Sequence, residues 1–106
     1  MRLNAALLPL MAVVACAKYP PAVEVRLQYW DARLKSELSG TRTLEEATQF
    51  FARNGLQHSF DRGSRTLHAS ERDVAMTSPT RWSVHIECRF DSFLKLEGCE
   101  TRGAKD

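Results

Sequence analysis

Residues 82–91 read WSVHIECRFD, and the alternation is strict. Trp82, Val84, Ile86, Cys88 and Phe90 are apolar, while Ser83, His85, Glu87, Arg89 and Asp91 fall between them. Successive side chains of a strand point to opposite faces, so the pattern predicts a half-buried antiparallel strand over these residues. A strand with one apolar side is stable only when a second layer covers that side. The rest of the chain has to supply the cover.

Two segments before it have helical spacing. Val23, Leu27, Trp30, Leu34 and Leu38 recur every three or four residues and form one apolar stripe. Pro21 suits a first turn, Asp31/Lys35 and Arg33/Glu37 are opposite charges four apart, and Gly40 follows as a stop. A strand with Val23, Val25, Leu27 and Tyr29 alternating is the rival reading, but the helical stripe runs longer. In TRTLEEATQFFARNG, Thr43 and Glu46 make a capping box, Leu44, Ala47, Phe50 and Phe51 form the buried side, and Asn54-Gly55 supply a left-handed exit.

After Gly55 the period changes to two. Leu56, His58 and Phe60 alternate, DRGS turns, and Leu67 and Ala69 alternate back. These parities place His58 inward, with His68 and His85 on the polar side. SERDVAMTSPT is expected to be a polar connection, and a three-residue loop at Asp91-Ser92-Phe93 would return Leu94, Leu96 and Gly98 to the core. Trp30 and Trp82 are expected in the core or at its rim. In that regular register Cys88 faces inward and Cys99 shares the side of Lys95 and Glu97. A Cys88–Cys99 disulfide therefore requires a bulge at Gly98 to reverse the parity. Without one, the pair is a buried thiol and an exposed one. The predicted fold is α+β, with two N-terminal helices packed on one face of a three- to four-stranded antiparallel sheet.

The N-terminus speaks to location. Met1-Arg2 is followed by LNAALLPLMAVVA, an uncharged run of signal-peptide length and shorter than the roughly 20 apolar residues that span a bilayer. Two cleavage readings are open. Ala15-x-Ala17 fits ordinary secretory cleavage and a soluble periplasmic or secreted product. Val13-Val14-Ala15-Cys16 resembles the bacterial lipobox, whose cysteine receives a diacylglycerol on sulfur and a further acyl chain, such as palmitate, on its new amine. Two or more chains anchor a protein stably, since each buried methylene adds about 0.8 kcal/mol. The lipobox reading divides the chain into a signal peptide (1–15), a lipid-anchored leash (16–21) and one small α+β domain (22–106). By the same resemblance, Ala17 after the cysteine implies sorting to the outer membrane, facing the periplasm. Cys88 and Cys99 would then lie in a compartment where pairing is expected.

The 15 basic and 13 acidic residues are interspersed, so no basic footprint for nucleic acid is visible. G-x-S-x-G, H-E-x-x-H and a Gly-rich phosphate loop are all missing. Two cysteines without matching histidines make a poor tetrahedral metal site. No cofactor, metal or catalytic set is expected. Ser83, His85 and Glu87 share a strand face but lie too far apart for direct hydrogen bonds. Together with Arg89 they form a mixed polar patch that suits a protein partner.

Helix, helix and antiparallel strands behind a lipobox resemble the small BamE-like (SmpA/OmlA) outer-membrane lipoproteins. The resemblance is carried by GTRTLEEATQFFARNG, where Gly40, Thr41, Glu46 and Gly55 match a turn that opens a Gly-closed helix. The chain departs from that family in lacking Gly-x-Pro after the second helix and in having Cys88 and Cys99. The resemblance implies two helices on a three-stranded sheet and a role in envelope assembly or maintenance. The alternative expectation is a periplasmic inhibitor or immunity protein presenting Arg72, Asp73 or Arg81 from the segment near 71–80 to a toxin or hydrolase.

Overall fold

The computed structural model describes residues 19–77 and 79–106; the expected leader, Cys16 and the start of the leash lie outside the described residues. Two helices, α1 (Pro21–Glu37) and α2 (Leu44–Arg53), precede four strands: β1 (Gln57–Asp61), β2 (Thr66–Thr77), β3 (Thr80–Phe90) and β4 (Leu96–Lys105). The strands form one antiparallel sheet in the order β1-β2-β3-β4, so each pairs with its neighbour in sequence. Among the described residues, no helix is long and apolar enough to cross a membrane.

The stripe on α1 is buried as its spacing predicts, through Val23, Leu27, Trp30 and Leu34, with Leu38 buried just past the last turn. Of the two expected charge pairs, Arg33–Glu37 forms at 2.7 Å. Asp31 instead accepts a hydrogen bond of 2.8 Å from Thr101 Oγ1 on β4. The capping box of α2 is complete: Glu46 N–H donates to Thr43 Oγ1, and Thr43 N–H donates to Glu46 Oε1. Ala47, Phe50 and Phe51 are fully buried beneath it. Gly55 takes a φ of +70° at the exit, which a side chain would resist. Both helices share a single hydrophobic core with Leu67, Ala69, Val84, Ile86 and Cys88.

Two further contacts fix α1 to the sheet. Glu71 on β2 accepts two hydrogen bonds from Arg26, at 2.9 and 2.8 Å, and one of 2.9 Å from Trp30 Nε1. At Gly103 on β4 a Cβ would lie 2.8–2.9 Å from Tyr19 and Val23 side-chain carbons, so only glycine admits the helix at that distance.

The structure corrects the sequence reading in three places. SERDVAMT is strand and not connection: β2 runs on to Thr77 and pairs with β3 as far as Thr77↔Thr80. The register jumps between Glu71 and Ala75, so Arg72, Asp73 and Val74 face Ser83 alone, and Asp73 adopts a φ of +57°. The β3–β4 connection is longer than three residues. Asp91 Oδ1 caps it by accepting from the backbone of Phe93 and Lys95. Leu94 therefore stays at the surface with a φ of +60°, and only Leu96 re-enters the core. Leu94 O and Arg42 O also accept from Leu44 N–H and Leu96 N–H, stitching the entrance of α2 to this turn. Finally, His58 has the predicted parity, opposite Ala69, but β1 is an edge strand and the imidazole is exposed.

Candidate functional site: the polar ladder of the sheet

The residues between the buried positions build cross-strand rows. Ser59, His68, Glu87 and Glu100 are aligned across all four strands, as are Gln57, Ser70, His85 and Arg102. Glu87 is the hub. Its Oε2 lies 3.5 Å from His68 Nδ1 and 4.0 Å from Arg102 Nη2, while Arg89 Nη2 reaches Glu100 Oε1 at 3.2 Å. These pairs are substantially exposed, so each contributes little to stability on its own. Their effect is to set charges of both signs side by side on this surface, with Glu87 and Glu100 directly opposite one another.

His58, His68 and His85 line one shallow concavity of about 260 Å³, together with Gln57, Ser59 and Ser70. His58 reaches the rim of this concavity from the edge strand, while its register position opposite Ala69 keeps it on the other face from His68 and His85, as the parities read from the sequence have it. Among the described residues, no three His, Cys, Asp or Glu side chains are placed to hold a metal ion. Every buried side-chain polar atom there has a partner, so no buried donor or acceptor points into a cavity for want of a ligand.

Of the residues expected to meet a partner, His85, Glu87 and Arg89 are accessible in varying degree and Ser83 is not. Ser83 is 1% exposed, and its hydroxyl donates to the Asp106 carboxylate. Asp106 is brought there because its backbone N–H bonds Arg81 O, extending the β3–β4 ladder by one pair. Ser83, His85 and Glu87 consequently remain three separate arrangements: Ser83 on Asp106, Glu87 on His68 and Arg102, and His85 at the concavity.

Cys88 and Cys99 are joined by a disulfide. The register explains how: Arg89 faces Gly98 and Phe90 faces Leu96, so Glu97 is the extra residue of a bulge beside Gly98. That insertion flips the parity of β4 and sets Cys99 directly opposite Cys88 with their Cα atoms 4.0 Å apart.

Comparison with protein-family models, curated proteins and solved structures returns no match to this chain. The functional reading therefore rests on the residues described above.

Proposed function

We propose that this chain is a bacterial envelope lipoprotein, cleaved before Cys16 and held in the outer membrane by acyl chains on that residue. Its domain acts as a non-catalytic protein-binding module for assembly or maintenance of the envelope. In this reading both helices cover one side of the sheet, which is supported by the single core they share with Leu67, Ala69, Val84, Ile86 and Cys88. The ladder of His68, His85, Glu87, Arg89, Glu100 and Arg102 is then the free side. The observation that carries the reading is this ladder, whose charges are spread over three strands and held in register. A mixed-charge surface of this kind selects a partner by complementarity and suppresses wrong ones.

Intact mass of the full chain extracted from membranes tests the anchor. The expected product begins at Cys16 and carries diacylglyceryl and amide-linked acyl groups; a product beginning at Lys18 without lipid refutes it. A photo-crosslinking residue at position 85 tests the surface. It is expected to trap one envelope protein, and Glu87→Arg is expected to abolish the adduct. An adduct indifferent to Glu87→Arg removes the ladder from the proposal.

A second reading, an inhibitor of a periplasmic enzyme, is favoured by one feature. The bulge in β2 exposes Arg72 and Asp73 and holds Asp73 at positive φ, a conformation that costs free energy and recurs at functional loops. If inhibition is the function, Asp73→Ala abolishes it while crosslinking through position 85 is unaffected.

A further inference from the structure

β4 is a ten-residue strand at the edge of the sheet, with no further strand beyond it among the described residues. It lacks proline, and its one bulge lies at its beginning, so residues 99–105 form a regular free edge. Long edges of this kind are templates for pairing with another strand. Their unused backbone groups can be assigned. The Cys88↔Cys99 pair, at 4.0 Å between Cα atoms, has the spacing of a narrow pair that exchanges no backbone hydrogen bonds. Asp106 N–H, seven positions on in the same register, does bond to β3. Past the bulge, even-numbered residues of β4 thus bond to β3, and Cys99, Thr101, Gly103 and Lys105 aim their N–H and C=O groups outward.

We propose that two copies of this chain associate through β4, antiparallel and about a two-fold axis at Thr101, to give a continuous eight-stranded sheet. The charge pattern selects this register. With Thr101 opposite Thr101 of the second copy, Glu100 faces Arg102 of that copy and Arg102 faces its Glu100. Four positions out from Thr101, at the ends of the paired segment, Glu97 of the bulge comes opposite Lys105. Cys99 faces Gly103, and these odd-numbered pairs are the ones whose backbone groups point outward, as a hydrogen-bonded ladder requires. Glu100 and Arg102 fall at the narrow positions, where side chains are closest. The two neighbouring registers with the same backbone phasing are excluded by charge: one sets Glu100 against Glu100, the other Arg102 against Arg102. A strand running Glu-Gly-Cys-Glu-Thr-Arg-Gly-Ala-Lys is complementary to its own reverse. The association is independent of the lipid anchor and of the ladder's other partner.

The test is sedimentation velocity of the full chain in mild detergent over a range of concentrations, with thermal melts to show that each variant is folded. A monomer–dimer equilibrium is expected for the parent. Glu100→Arg creates two like-charge pairs across the axis and is expected to weaken the dimer about tenfold or more. Arg102→Glu should do the same, and the double variant Glu100→Arg/Arg102→Glu should restore it. Within one chain the double variant breaks both local ion pairs, placing Arg beside Arg89 and Glu beside Glu87, while it sets an arginine opposite Glu87 on the neighbouring strand. Recovery of the dimer in the double variant, after its loss in each single reversal, is the signature of charge pairs between copies. Thr101→Pro deletes two outward N–H donors and should give monomer, and the charge variants decide the matter if it does not fold. A parent that stays monomeric throughout, or a dimer unchanged by the single reversals, overturns the proposal, as does failure of the double variant to recover.

Discussion

Gly103 and Glu46 show how single residues fix the two helices, one by having no side chain and one by its charge. Gly103→Ala would drive a methyl into Tyr19 and Val23, and overpacking of this kind costs about 1–3 kcal/mol. Urea unfolding should show that loss with an unchanged m-value. Glu46 is held below the usual carboxylate range, first by the backbone N–H of Thr43 and also by its hydroxyl and by Arg42. A carboxylate depressed in the folded state adds stability that is complete above its ordinary range and is lost as pH falls through the folded value. Glu46→Gln should therefore flatten the acid limb of a Tm-versus-pH curve below the ordinary carboxylate range and shift Tm little with pH above it. Asp61 behaves likewise through Ser64 and Gly63, so the limb should narrow but persist. The capping box was legible in the sequence because all its bonds lie within four residues. Gly103 was not legible, since its constraint comes from side chains at the far end of the chain.

At the scale of elements, strand 82–90 and both helices followed from their periods, while the misses over SERDVAMT and the β3–β4 turn lay at changes of register and that of His58 at an edge strand. A period-two pattern states which face a residue takes only until a bulge intervenes. Glu97 interrupts β4, and Arg72-Asp73-Val74 interrupt β2, with only Gly98 and no residue respectively to mark the place beforehand. SERDVAMT read as a connection because it is polar on both sides, yet backbone pairing with β3 needs no apolar side chains where the hairpin outruns the core. Two predictions belong here. The disulfide closes a short loop between positions 88 and 99, and replacing both cysteines with alanine should cost about 3 kcal/mol in urea unfolding. Glu71→Ala removes the acceptor shared by Arg26 and Trp30 and leaves the partly buried indole N–H unpaired. It should destabilise the domain by about 1–3 kcal/mol, whereas Arg26→Lys should lose less.

For the whole molecule, alternation and helical stripes were enough to give two helices and a chain of antiparallel hairpins, because neighbours in sequence are neighbours in the sheet. The polar surface was foreseen in part. His85, Glu87 and Arg89 could be read from β3 alone, but the role of Glu87 as hub needs His68 from β2 and Arg102 from β4. Ser83 was lost from that surface because Asp106 covers it. At this scale the proposed anchor predicts that Cys16→Ser shifts the protein from the membrane pellet to the soluble fraction, read by immunoblot after ultracentrifugation. One more consequence concerns the order in which the domain can form. Leu94 and Leu96 fasten the entrance of α2, and Gly103 receives the start of α1, so the earliest elements to emerge are secured by the last. A growing chain that has not yet delivered β4 can lay its helices against β2 and β3 but lacks the contacts that close both ends of that packing. Truncations within residues 94–103 should therefore loosen the amino-terminal half although they remove none of it.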